Sequence, residues 1–299
     1  MKIIVCGGLG FIGKHFIREA QKRGAEVINI DACTYAADLS NRDYIKVDIN
    51  DLWNLPSHDL VINFAAETHV DNSISDSTKF VRSNVCGVHN LLKLEPVRYI
   101  QMSTDEVYGP CYYAEFFEDS ALRPANPYSA TKASADLIIQ AHANTYGLNY
   151  NIIRSTNNYG PGQFPEKLIP RTIDRLQRGL RAQVHGDGTY KRMWLHVEDA
   201  VNAIWTVIEK GKAGEIYNVA GQEKANIDII RTLCEKYGGA LEFVKNRQGQ
   251  DIRYAVNDLK LRDLGWKPEK EFSLDDWTPW GGTPREEVHP DVKAARSVA

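Results

Sequence analysis

The amino-terminal stretch Lys2-Ile-Ile-Val-Cys6-Gly7-Gly8-Leu9-Gly10-Phe11-Ile12-Gly13 decides the fold. A short apolar run enters a turn with glycines at positions 7, 10 and 13, and amphipathic helical spacing follows at once over Gly10 to Arg23. Glycines in such a turn allow a tight reversal and let backbone N–H groups at the helix start approach an anion, whose charge the helix dipole favours. Working outward, Glu26 to Ile30, Leu60 to Phe64, Tyr99 to Ser103 and Asn151 to Ser155 read as strands. Thr78 to Leu94 and Tyr128 to Tyr146 read as helices between them.

Strands alternating with helices require right-handed crossovers that cover both faces of a parallel sheet. The expected class is therefore α/β, a Rossmann-type doubly wound parallel sheet with a smaller α/β substrate-binding lobe. Residues 1–158 form the first unit in this reading, completed by a return segment near 193–212. Pro161, Pro165 and Pro170 then punctuate a loop before the helix-like Arg171 to Arg178. A glycine turn at Gly186 and Gly188, a helix over Val197 to Ile208 and a strand over Glu215 to Val219 follow, so 159–276 reads as the second lobe. From Trp277 to Ala299 periodicity stops, and a flexible tail is expected.

Composition narrows the function classes. The 299 residues carry 36 Lys plus Arg against 39 Asp plus Glu, which gives no global electrostatic reason to bind nucleic acid or an anionic membrane. No apolar stretch is long enough to suggest a membrane span. Five cysteines, odd in number and without a Cys-x-x-Cys pair, point to a reducing compartment and against a zinc site. A cytoplasmic protein without a metal is expected.

The second strand ends at Asp31, where a dinucleotide fold presents an acid to the adenosine ribose; that charge would repel a 2′-phosphate, so NAD is favoured over NADP. Asp48 with Ile49, after the third strand-like run, could meet the adenine ring. Tyr128 and Lys132 lie four apart at the start of a helix and project from one face. An ammonium beside a phenol stabilises the phenolate, which suits a base acting on an alcohol, although the same spacing also occurs on ordinary exposed helix faces. The strand from Tyr99 ends in Ser103-Thr104-Asp105-Glu106, which places two neighbouring carboxylates at the carboxyl edge of the sheet, where ligands bind.

Gly7 to Gly13, Ser103-Thr-Asp-Glu-Val-Tyr-Gly109 and Tyr128 to Lys132 together resemble the extended short-chain dehydrogenase/reductase superfamily and, within it, the nucleotide-sugar 4,6-dehydratases. Asn63 to Asp71, Arg154 to Pro170 and Trp194 to Asp199 extend the likeness over most of the chain through Trp266. The resemblance implies that Tyr128, supported by Lys132 and Thr104, takes the proton of the sugar C4 hydroxyl while NAD⁺ accepts hydride from C4. Glu106 would then remove the acidified C5 proton, and protonated Asp105 would deliver one to the departing C6 hydroxyl. Mutual repulsion of the two carboxylates suits this division of labour.

By the same resemblance the cofactor contacts are Gly7, Gly10, Phe11, Ile12, Gly13, Asp31, Ala32, Cys33, Thr34, Asp48, Ile49, Phe64, Ala65, Ala66, Glu67, Ser83, Tyr128, Lys132 and Asn158. Those for a nucleotide-sugar substrate are Thr68, Thr104, Asn157, Lys167, Leu168, Arg192, Asn226 and Arg247. A homodimer through Thr78 to Leu94 and Tyr128 to Tyr146 is also implied. Met193, Asn246 and Gln250 depart from the usual pattern, at positions around the nucleotide and the cleft rim. Alternatives on the same scaffold are a nucleotide-sugar 4-epimerase, a UDP-sugar decarboxylase and a catalytically silent nucleotide-binding regulator. Decarboxylases usually place Ser between the Thr and the Glu, and epimerases lack the acid pair.

Overall fold

The structure, a computed structural model, describes residues 1–40, 43–246, 252–275 and 277–280. The chain runs β1 (Lys2–Cys6), α1 (Phe11–Lys22), β2 (Glu26–Asp31), β3 (Ile45–Lys46), β4 (Leu60–Asn63), α2 (Val70–Ser75), α3 (Thr78–Phe80), a π-helical turn (Val81–Cys86) and α4 (Gly87–Lys93). It continues through β5 (Tyr99–Thr104), a 3₁₀ turn (Asp105–Tyr108), α5 (Pro127–Tyr146), β6 (Tyr150–Ser155), β7 (Asn157–Tyr159), α6 (Leu168–Gln177), β8 (Ala182–His185) and β9 (Lys191–His196). The last elements are α7 (Val197–Lys210), β10 (Glu215–Val219), β11 (Gln222–Ala225), α8 (Asn226–Tyr237), β12 (Leu241–Val244) and α9 (Leu259–Arg262).

Seven parallel strands form the large sheet in the order β10-β6-β5-β4-β1-β2-β3. Its direction of winding reverses between β1 and β4, which opens a crevice at their carboxyl ends. Side-chain alternation fills both faces. Ile3 and Val5 join Phe16, Ile62, Trp205 and Val207 on one face, whereas Ile4 and Cys6 join Leu91, Leu92, Ala135 and Ile139 on the other. Each such large side chain contributes about 1.5–3 kcal/mol of burial energy, so the strand ends that carry the site stand on a stiff base.

Three features differ from the sequence expectation. First, β10 pairs with β6 and widens the large sheet, so the return to that sheet extends past 193–212. Helix α7 lies against α1 and the sheet core, and a right-handed crossover from it delivers the next strand to the sheet edge. Second, the Thr78 to Leu94 helix is interrupted by the π-helical turn at Val81–Cys86. Third, Trp277–Trp280 are packed: Gly162 N donates to Thr278 O at 2.9 Å, and Trp280 meets the Phe164 ring edge-on. Residues 281–299 of the expected tail lie outside the described residues.

The small lobe stacks α6 and α8 on β8 and β9 around Ile169, Ile173, Val184, Ile229 and Leu233. Among the described residues no helix is long and apolar enough to cross a membrane, and no group of three His, Cys, Asp or Glu could hold a metal ion. All five cysteines are free thiols.

Candidate active site

The glycine turn is wound too tightly for side chains. A Cβ at Gly13 would stand 2.3 Å from the Gly7 carbonyl, and one at Gly7, whose φ is +79°, would stand 2.5 Å from Ala65 N. A Cβ at Gly10 would be 3.2 Å from the same carbonyl. Gly10 is also the N-cap of α1 and brings no capping side chain, which leaves the amides of Phe11, Ile12 and Gly13 for an anion. Beneath the turn, buried Asp31 accepts hydrogen bonds from Leu9 N at 3.0 Å and Cys33 N at 2.7 Å. Burial raises its carboxyl pKa and the two N–H donors oppose that rise. Cys33 adopts φ +57°, uncommon for a residue with a side chain, which folds the chain back over Asp31 between exposed Ala32 and Thr34. This cradle, closed to any Cβ and floored by a carboxylate, fits a dinucleotide.

The second wall is the segment after β4. Ala65 N donates to Asn63 Oδ1 at 3.0 Å, which turns Phe64-Ala65-Ala66 across the sheet edge beside Gly7. Glu67 is held through its backbone: Glu67 N donates to Asn84 Oδ1 at 2.9 Å, and Asn84 Nδ2 donates to Glu67 O at 3.0 Å and to Thr131 Oγ1 at 2.9 Å. Asn84 thus ties the cofactor wall to helix α5, and it sits in the π-helical turn beside Ser83. Turns of this kind recur at functional sites because the extra residue re-aims a side chain inward. Sequence reasoning missed Asn84, since only the broken helical register marks it. Asp48 Oδ1 accepts from Asn50 N at 2.9 Å and Nδ2 at 2.8 Å, and Ile49 is buried against Gly87.

Helix α5 begins with a capping box. Asn126 Oδ1 accepts from Ser129 N at 2.9 Å, Ser129 Oγ accepts from Asn126 N at 3.2 Å, and Pro127 sits where its missing N–H costs nothing. Tyr128 and Lys132 consequently emerge from its first turns, and both are buried. Lys132 Nζ donates to Met102 O at 2.7 Å, on β5, and burial pushes its pKa down to about 8. The Tyr128 phenol lies well above its ordinary value, first through burial and then through Glu106, while a bond with the Thr104 hydroxyl pulls it down. Of the two residues expected to support the phenol, Thr104 is the one that bonds to it, and Lys132 donates to Met102 O instead.

Across from this face, Asp105 and Glu106 form the start of the 3₁₀ turn that leaves β5, with Thr104 Oγ1 accepting from Glu106 N at 3.3 Å. Asp105 is 2% exposed, and its Oδ2 has no hydrogen-bond partner among the described residues. Burial, then repulsion by Glu106, raises its pKa to about 7, with Arg192 acting in the opposite sense. One carboxyl held as an acid stands beside a second that Asn126 Nδ2 orients at 3.3 Å from Oε2. Such a pair can give a proton and take one at adjacent atoms.

The small lobe supplies the far wall. Lys167 Nζ donates to Thr68 O at 3.0 Å and Thr68 Oγ1 at 3.1 Å, which joins two expected substrate residues across the cleft, with Leu168 next in line at the start of α6. Tyr35 Oη donates to Glu166 Oε2 at 2.8 Å, a second cross-lobe bond that the sequence did not disclose. Arg192 lies on β9 with its guanidinium 4.5 Å over the Tyr254 ring. Asn157 sits on β7 opposite Trp194, and Asn158 Nδ2 donates to Ser155 Oγ at 3.0 Å. The Oδ1 atoms of Asn158 and Asn226 are buried without a partner among the described residues, as polar groups at a ligand face would be. Arg247 lies outside the described residues, as does Gln250.

Known proteins resemble this chain over most of its length. The chain is 41% identical over 91% of its length, and 95% of the relative's, to the low-salt glycan biosynthesis protein Agl12 of Haloferax volcanii. It is 40% identical to dTDP-glucose 4,6-dehydratase of Streptomyces griseus, with 91% of this chain and 90% of that protein covered. Among solved structures, dTDP-glucose 4,6-dehydratase DesIV from Streptomyces venezuelae, with NAD and TYD bound, superposes with a TM-score of 0.86 at 36% identity over 91% of this chain and 93% of that one. Residues 3–220, which span the cradle, both carboxylates and the Tyr128–Lys132 face, match one family throughout, and the chain belongs to the NAD dependent epimerase/dehydratase family.

Proposed function

We propose that the protein is an NAD-dependent nucleotide-sugar 4,6-dehydratase that converts a dTDP- or UDP-linked glucose-type sugar to its 4-keto-6-deoxy form. The observation that carries this reading is Asp105, a buried carboxyl with an unpartnered oxygen beside Glu106 and facing Tyr128. Relatives at 37–40% identity that are dTDP-glucose 4,6-dehydratases support it.

When bound, NAD would supply the oxidation at C4 that makes elimination feasible and the hydride that C6 takes up after water has left, so the C4 ketone persists in the product. Gly7, Gly10, Phe11, Ile12 and Gly13 would hold its pyrophosphate by backbone N–H groups, and Asp31 its adenosine ribose. Tyr128 Oη takes the C4 hydroxyl proton, with the Thr104 hydroxyl as the neighbour that stabilises the resulting phenolate. Glu106 removes the proton from C5, Asp105 gives its own to the C6 hydroxyl, which leaves as water, and Glu106 returns its proton to C5 as C6 is reduced. Arg192 and Lys167 neutralise the diphosphate, a task suited to a planar guanidinium seated over the Tyr254 ring.

An epimerase needs no acid beside the base, so the acid pair favours elimination. Incubation with dTDP-glucose and UDP-glucose followed by mass spectrometry decides: a product lighter by one water supports the reading, whereas an isomer of unchanged mass, or no turnover with NAD retained, overturns it. The free cysteines support a cytoplasmic enzyme. A homodimer is supported by Val81, Leu137 and Tyr146, apolar side chains exposed on the π-helical turn and on α5.

A further inference from the structure

One buried ion pair has no part in the chemistry above. Asp136 and Arg154 are 0% and 1% exposed, and Arg154 Nε donates to Asp136 Oδ2 at 2.9 Å. Arg154 Nη1 also donates to Tyr108 Oη at 2.7 Å and to Glu118 O at 3.1 Å, with the guanidinium 4.8 Å above the Tyr108 ring. Tyr108 Oη passes its proton's bond to Asn218 Oδ1 at 2.8 Å, on β10. A buried ion pair is no better for stability than apolar side chains of similar volume, because desolvation cancels much of the attraction. Its position suggests another use.

Asp136 lies one helical turn beyond Lys132, which lies one turn beyond Tyr128, so all three share a stripe of α5. Tyr108 ends the turn that begins at Asp105. The Arg154 guanidinium therefore touches both the helix that bears the base and the turn that bears the acids. We propose that Asp136 and Arg154 are positioning residues: Asp136 keeps the Lys132 ammonium charged in its dry pocket, and Arg154 fixes the spacing between α5 and the Asp105–Tyr108 turn. The proposal rests on the reading of Tyr128 and Lys132 as the C4 pair.

The electrostatic surroundings agree with the geometry. Burial works against the ammonium of Lys132, and Asp136 is the group that opposes it. Burial raises the pKa of Asp136 itself, and Arg154 from β6, the Ser103 hydroxyl from β5 and Lys132 on its own helix oppose that rise. The phenols of Tyr99 on β5, Tyr150 on β6 and Tyr128 on α5 also face Asp136, and their ionisation is disfavoured by it. Asp105 and Glu106 face Tyr128 from the 3₁₀ turn.

The test is the pH profile of C4 oxidation, read as the stopped-flow appearance of reduced cofactor when the NAD-loaded protein is mixed with the nucleotide sugar it turns over, a step that does not call on the Asp105 proton. Asp136→Asn should move the alkaline limb of that rate down by about one pH unit, a tenfold loss of proton affinity at Lys132, with KM changed less than about twofold. Arg154→Lys keeps the charge and should leave that limb in place, but loses the fork to Tyr108 and should slow water loss about tenfold relative to C4 oxidation. If Asp136→Asn does not fold, the Asp136→Asn/Arg154→Met double variant leaves no uncompensated charge and should show the same displaced limb. A folded Asp136 variant, single or double, with the wild-type limb overturns the proposal. Lys132→Met separates the two readings: if it stays active, the C4 assignment fails; if it is inactive while Asp136→Asn keeps the wild-type profile, only the present proposal fails.

Discussion

At the scale of single residues the site works by unequal solvation of similar groups. Asp105 and Glu106 are neighbours in sequence, yet one is sealed under the turn and the other is oriented by Asn126 at the cleft. With its pKa near 7, Asp105 is protonated below that value and loses its proton above it. The rate of water loss should therefore fall as pH rises through about 7 if Asp105 is the acid, and stopped-flow measurement of the elimination step across that range checks the sign. Asp105→Asn keeps the shape and removes the transferable proton; it should slow elimination by about 10²–10⁴-fold while C4 oxidation continues, so reduced cofactor accumulates with substrate and is seen by its absorbance. Tyr128→Phe should instead abolish that accumulation, since the earlier step fails.

At the scale of elements, the catalytic geometry depends on how α5 starts. Removing the Asn126 side chain deletes a cap and also the Nδ2 donor to Glu106, so Asn126→Ala should cost about 1 kcal/mol of stability by thermal melting and disturb the C5 proton transfer as well. The α1 cradle is equally demanding. Gly13→Ala would press a methyl group onto the Gly7 carbonyl at 2.3 Å, so calorimetric titration should show NAD affinity lowered by more than tenfold, with the sheet beneath still folded. The π-helical turn that holds Asn84 shows why apolar spacing alone misreads such a helix. Periodicity reports which face is buried, and inserting one residue per turn leaves that face apolar while turning a polar side chain toward the site.

At the scale of the whole molecule, the two lobes are joined across the cleft by Tyr35 to Glu166, Lys167 to Thr68 and Lys14 Nζ to the Gly162 carbonyl at 2.9 Å. These bonds bring Lys167 and Leu168 to the edge of the cofactor wall. Assembly is open to the same kind of test. The enzyme should sediment as a dimer, and Leu137→Arg, which sets a charge in the exposed apolar patch of α5, should shift it to the monomer mass with its melting temperature little changed.

The sequence by itself determined the alternating layers, the glycine cradle with Asp31 behind it, and the placing of Tyr128 and Lys132 on one face of a helix. Each of these is written in local chemistry: a period of two or of four, a residue without a side chain, a carboxylate at a strand end. Only the tertiary structure decided that β10 belongs to the large sheet, that Asn84 clamps the Glu67 backbone, and that Arg154 bridges α5 to the acid turn through Asp136 and Tyr108. Partners in these contacts lie from 17 to 64 residues apart, and chain spacing carries no record of which distant polar group a buried one will find. The sealing of Asp105 belongs with them, because a residue's solvation is set by what packs over it rather than by its neighbours in sequence.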